Sequence, residues 1–190
     1  MIMRVNTVQE KPMSAVPEPA SFEALDACHQ QILVHLDMLA ELAKHMEAAG
    51  VDAKAQQQAG AIEAFFSGTS RQHHAEEEKT VFPPLLESGN AELVAAVRTL
   101  QQDHGWIEEN WIELAPQLRA IASGNNWLDS AEFQHYLEVF LELCRGHIAL
   151  EETLVYPESK ARLAQAVARR VTRPPRLTLR LFKARGRTQS

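Results

Sequence analysis

Apolar side chains recur every three or four positions over four long stretches of the chain, the period of a helix with one face turned to a core. The first stretch, residues 21–49, carries Leu25, Ile32, Leu33, Leu36, Leu39 and Ala43 on that face, and Gly50 can end it by taking a left-handed conformation. The second, residues 52–86, carries Ile62, Phe65 and Phe66. Pro83 and Pro84 are expected to kink or end it, because proline removes an amide donor and crowds the preceding turn. Ser88-Gly89-Asn90 then reads as a turn. The third, residues 90–123, uses Leu93, Val97, Leu100, Ile107, Trp111 and Leu114. Pro116 is expected to bend it or break its last turns, and Gly124-Asn125-Asn126 closes it. The fourth opens at Asp129, with Glu132 three positions on as a variant capping box. It continues through Phe133, Tyr136, Leu137, Phe140 and Leu143 to Tyr156, where Pro157 is expected to interrupt it. Short loops between long amphipathic helices predict an all-α, up-down-up-down antiparallel four-helix bundle.

Composition places this bundle within a larger chain. With 190 residues there is room for one domain and hardly two. Of the 19 lysines and arginines, ten fall between Lys160 and Ser190, a segment without an acid, and the rest share residues 1–159 with all 25 acids. The near-average net charge of −6 therefore hides an acidic body and a basic tail. The expected organisation is a disordered leader over residues 1–20, a bundle over 21–160, and a partly helical or disordered tail over 161–190. No apolar run reaches membrane-spanning length, and the leader lacks the apolar segment of a secretory signal. Cys28 and Cys144 are too few for a disulfide framework and read as buried thiols in a reducing compartment. These features predict a cytoplasmic protein.

The chemistry lies in a repeat. The segment His73-His74-Ala75-Glu76-Glu77-Glu78-Lys79-Thr80-Val81-Phe82-Pro83 closes the second helix. The segment His147-Ile148-Ala149-Leu150-Glu151-Glu152-Thr153-Leu154-Val155-Tyr156-Pro157 closes the fourth. Both read His-x-x-x-Glu-Glu-x-x-Val-[Phe/Tyr]-Pro. The first and third helices match as well, His29-x-x-Ile32 against His104-x-x-Ile107. A two-fold repeat of helical hairpins would set the four histidines around one axis.

Residues four apart lie on one helix face, one turn above each other, so His73 with Glu77 and His147 with Glu151 can each reach a common centre. Both pairs fall on the inward stripes. Unpaired carboxylates there would cost several kcal/mol, to order of magnitude, and a pair of divalent cations removes that cost. Imidazole with carboxylate and no thiolate suits iron, manganese or zinc. A lone buried histidine is ordinarily a hydrogen-bonded core residue, and a lone His-x-x-x-Glu is ordinarily a surface pair. Two copies with the same Val-aromatic-Pro exit, joined by two histidines at matching offset, favour metal.

These motifs resemble the hemerythrin-like group, the HHE cation-binding domain, over residues 21–157. The most specific elements are His73-His74-x-x-Glu77-Glu78 with Phe82-Pro83, and His147-x-x-x-Glu151-Glu152 with Tyr156-Pro157. The resemblance implies a four-helix bundle around two non-haem iron ions with an oxo or hydroxo bridge. It implies His29, His73, Glu77, His104, His147 and Glu151 as ligands, with Glu77 and Glu151 bridging. The sequence departs from the oxygen-carrying hemerythrins on the third helix, where their pattern is His-x-x-x-His and this chain has Glu108 after His104. Glu108 is therefore a candidate seventh ligand, one that would fill the position open to oxygen. Redox sensing, nitric oxide or peroxide chemistry and iron handling stay open, with a small diatomic or peroxide ligand as partner.

Other residues have weaker claims. His35 reads as a boundary histidine and His74, about 100° around the helix from His73, as half exposed. Glu76, Glu78 and Glu152 read as solvated carboxylates or as partners of ligating side chains. His45 and His135 read as surface residues. Cys144, one turn before His147, reads as packing rather than as a thiolate ligand. Residues 169–187 could meet nucleic acid or another acidic surface. A mononuclear or zinc site is one rival reading, and two rival functions remain. A ferritin- or rubrerythrin-like oxidase would need paired Glu-x-x-His motifs, of which only Glu132 and His135 are present. A non-metal interaction module would act through the basic tail.

Overall fold

The computed structural model describes residues 19–125 and 129–172. The leader through residue 18, Asn126 of the third turn, and the tail from residue 173 lie outside the described residues. Those described are helices and their connections, with no strand among them.

Four helical runs enclose the core. The first is α1 (Pro19–Ala49). It ends at Gly50, whose φ of +74° is the left-handed conformation that glycine tolerates and whose amide donates to the Met46 carbonyl at 2.9 Å. The second run comprises α2 (Ala53–Phe65), α3 (Arg71–Glu76) and α4 (Phe82–Leu86), joined without a break by two widened π turns, Phe66–Ser70 and Glu77–Val81. The third is α5 (Ala91–Ala122). The fourth is α6 (Ser130–Leu150), a π turn (Glu151–Val155) and α7 (Tyr156–Thr172). Asp52, Asn90 and Asp129 cap α2, α5 and α6 with side-chain oxygens that accept backbone amides of the first turn. The first and third runs each pack on both of the others. No described helix is long and apolar enough to cross a membrane.

The prolines behave differently from the expectation. Pro83 and Pro157 interrupt nothing: each is the second residue after a π turn, whose last wide hydrogen bonds run from Phe82 to the Glu77 carbonyl and from Tyr156 to that of Glu151. The widened turn relieves the ring of its usual clash with the turn before it. The fourth run thus continues to Thr172. Pro116 does not end α5 either. It lies on the exposed face, where water can satisfy the carbonyl left without a donor, and Leu118 and Ile121 stay buried beyond it.

The core has two apolar layers. One, around Ile32, Leu36, Leu39, Ile62, Phe66, Trp111, Leu118 and Phe140, fills the end nearer the α1–α2 loop. The other gathers Phe22, Leu25, Val81, Phe82, Leu85, Val97, Leu100, Val155 and Tyr156. Between them runs a polar layer: His29 lies between Leu25 and Ile32, and His104 between Leu100 and Ile107.

Candidate metal centre

Each helical run contributes to the polar layer. His29 comes from α1, His73 from α3, His104 from α5 and His147 from α6, all buried. Glu77 and Glu151 are the first residues of two π turns, and both are 0% exposed. A π turn adds a residue to a helical turn, and such insertions recur at functional sites because they re-aim a side chain.

The two carboxylates each face both ways. Glu77 directs Oε1 to His73 Nε2 at 3.4 Å and to His29 Nε2 at 3.9 Å, and Oε2 to His104 Nε2 at 3.6 Å. Glu151 directs Oε2 to His29 Nε2 at 3.1 Å and Oε1 to His147 Nε2 at 3.3 Å. Two groups of potential ligand atoms result, His29–His73–Glu77–Glu151 and Glu77–His104–His147–Glu151, and both glutamates belong to both. Separations of about 3 Å are those of two donors each about 2.1 Å from one ion.

The layer is poorly satisfied by hydrogen bonds alone. Both ring nitrogens of His73, Oε2 of Glu77, both carboxylate oxygens of Glu151 and Nδ1 of His147 are buried without a partner. His104 and His147 point their Nε2 atoms at each other across 3.2 Å. Buried polar groups in folded proteins are almost always paired, so this concentration of orphans at one level fits cations.

The electrostatics agree. Burial, together with the Glu151 charge, pushes the Glu77 carboxyl up to about 7. Glu151 is held well below the usual carboxylate range: burial opposes this, but the neighbouring His147 and His29 rings prevail. Burial drives His73 down to about 3. For His147 burial is outweighed by Asp103 and Glu151, and the ring is pushed up to about 9. His29 is likewise pushed up, against burial, by Glu151 and Glu77, so the layer favours protons that a metal would displace.

Supporting contacts follow the repeat. His104 Nδ1 donates to Glu78 Oε1 at 2.8 Å, and His29 Nδ1 donates to Glu152 Oε1 at 3.3 Å. The second glutamate of each Glu-Glu pair therefore backs a histidine of the other hairpin. Each contact at Nδ1 turns Nε2 inward, as ligation requires. Phe82 stacks on His104 with ring centres 5.5 Å apart, and Tyr156 stacks on His29 at 4.9 Å.

Glu108 is not brought to the cluster. Its side chain is 42% exposed and forms a two-point ion pair with Arg71, one bond being 2.8 Å. A solvated guanidinium partner is available there, so the carboxylate keeps its charge without being buried. His74 takes the inner place. Half-buried, it stacks on His104 at 4.2 Å and forms a third potential ligand group with His104 and His147. An ideal helix turns residue 74 away from the centre. The available signal was its counterpart in the repeat, Ile148, an apolar residue and hence an inward-leaning position. The remaining residues lie elsewhere. His35 stacks on Phe65, Cys144 packs in the larger apolar layer, His45 pairs with Asp52 at 3.0 Å, and Glu132 and His135 are exposed.

Comparison with known proteins gives the same picture. A curated relative, an uncharacterised protein of Haemophilus influenzae, is 29% identical over 133 residues, covering 70% of this chain and 74% of its own. No solved structure matches. The family model described as the hemerythrin HHE cation binding domain matches residues 20–159. The chain belongs to the hemerythrin HHE cation-binding domain family, and its buried layer of histidines and glutamates is suited to binding metal ions.

Proposed function

We propose that this protein binds two iron ions in an up-down-up-down bundle and uses them in redox sensing or iron handling, with a small diatomic or peroxide ligand. The observation that carries this reading is the two-faced disposition of Glu77 and Glu151, each offering one oxygen to either half of the layer. A single ion would leave half of these oxygens and imidazoles without a partner. Two ions, one in each group with Glu77 and Glu151 shared between them, would engage them all. His29 and His73 would hold one ion, and His74, His104 and His147 the other. Imidazole and carboxylate without thiolate, crowded with negative charge, favours iron over softer alternatives. Such a pair would supply reversible electron exchange and a place for an exogenous ligand.

The spaces beside the layer are small. One of about 250 Å³ lies against Asp103 and His147, one of about 300 Å³ against Tyr156, and one of about 10 Å³ against His74. They suit small ligands better than an organic substrate. The ferritin-like alternative loses its support, because Glu132 and His135 are exposed on α6. Metal analysis after iron loading tests the proposal. Two irons per chain are expected, retained in the presence of competing zinc and manganese. One ion per chain, or preferential retention of zinc, contradicts it.

A further inference from the structure

The two halves of the layer are related by the repeat, and two of their differences bear on its polar rings. Where one half has His74, the other has Ile148; where one half has Phe82, the other has Tyr156. The half with three imidazoles therefore ends in a ring without a polar atom, and the half with two ends in a phenol. The Tyr156 hydroxyl donates to Glu77 Oε1 and lies 3.3 Å from His29 Nε2, the nitrogen aimed at the centre. It stands on the metal-facing side of the half with fewer ligands.

A cavity leads to this residue from the surface. About 300 Å³ in volume, it lies between α1 and the start of α7, lined by Asp26, Gln30, Glu152, Pro157 and Lys160, with buried Tyr156 as its floor. Lys160 bonds Asp26 at 2.7 Å across the rim, and its ammonium stands 5.6 Å over the Tyr156 ring. Two carboxylates and one ammonium leave the rim negative, which disfavours anions and admits uncharged ligands. The space beside His147 is lined also by Asp103, which that ring faces through Nδ1, not through the Nε2 aimed at the centre. The larger apolar groove farther along α7 shares Asp26 and Lys160 with this cavity but is not lined by Tyr156.

We propose that this cavity is the port through which a small uncharged ligand, a diatomic gas or a peroxide, reaches the ion held by His29 and His73, and that the Tyr156 hydroxyl hydrogen-bonds that ligand. The proposal rests on the two-ion reading above. Tyr156 acts as a positioning residue, favouring a ligand with a lone pair turned toward it. Phe82 shows that the fold accepts phenylalanine in this setting, so Tyr156→Phe is a fair test.

Nitric oxide added to the ferrous, full-length protein is the probe, with the N–O stretch recorded in H2O and D2O and the binding rates by stopped flow. For the parent protein, a stretch that shifts in D2O is expected. In Tyr156→Phe that shift disappears, and nitric oxide leaves about fivefold faster, the consequence of losing one hydrogen bond. Gln30→Trp, on the exposed rim, slows association about tenfold and leaves the stretch alone. A D2O shift that survives Tyr156→Phe, or an association rate untouched by Gln30→Trp, overturns the proposal. If Tyr156→Phe loses its iron, the hydroxyl is part of the metal-holding set and the proposal is likewise overturned. Failure of the parent protein to take up iron sinks the two-ion reading itself, which separates the two failures.

Discussion

Glu78 accepts a hydrogen bond from His104 Nδ1 at 2.8 Å, joining the second and third helical runs directly behind the metal-facing nitrogen. Its counterpart, Glu152 behind His29, joins the fourth run to the first. Each carboxylate fixes a tautomer and a ring orientation. Losing such a partner costs about 10- to 100-fold in metal affinity. Glu78→Gln and Glu152→Gln should each weaken iron binding within that range while leaving the helical content unchanged. Competition with a chelator of known affinity measures it. Parent-like affinity in both variants would mean that these glutamates are only surface charges.

Glu108 and His74 exchange the roles that spacing alone suggests. Glu108→Gln should leave iron stoichiometry intact. Breaking the exposed pair with Arg71 should change stability by no more than about 1 kcal/mol. His74→Ala should lower retention of one of the two irons. Metal analysis and chemical denaturation of both variants decide this; loss of iron in Glu108→Gln would restore the carboxylate to the ligand set.

Metal binding should release protons. His147 in the folded, metal-free chain is pushed up to about 9, against about 6.5 unfolded. Its proton therefore contributes stability that is fully present below pH 6.5 and lost as pH rises through 9. An ion must displace that proton, so the apparent affinity should rise with pH across this window. Glu77, pushed up to about 7, extends the same dependence to lower pH. Calorimetry in two buffers of different ionisation enthalpy at pH 7.5 should show net proton release on metal binding. Binding without proton release would contradict the assignment.

Removing the metal should destabilise the fold, because the ligand atoms then stay buried and unpartnered. A chelator should lower the midpoint of thermal unfolding, and the midpoint should recover with added iron in a concentration-dependent way. An unchanged midpoint would show that the polar layer is satisfied without ions.

Much of this was legible in the chain. The spacing of Leu25, Ile32, Leu36 and Leu39 predicts α1, and Asn90 and Asp129 mark the helix starts where they cap. The doubled His-x-x-x-Glu motif brought His29, His73, Glu77, His104, His147 and Glu151 into one layer. The π turns were not legible. A widened turn depends on which carbonyl an amide finds, and no residue type announces it. Prolines 83 and 157 therefore read as breaks, although the turns before them let the helix pass. The same extra residues shift the helical phase, so an ideal wheel turns His74 outward. Glu108 failed for another reason: spacing placed it one turn from His104, but its partner Arg71 is 37 positions away and pairs only in three dimensions.

By this reading the buried histidines and glutamates hold two irons. Metal content and the absorption spectrum of protein purified without oxygen and then exposed to air test it most directly, alongside His73→Ala and His147→Ala. The account predicts two irons per chain and near-ultraviolet bands of an oxo bridge that appear in air and are lost in both variants. Protein that takes up no iron, or takes it up equally without these histidines, contradicts it.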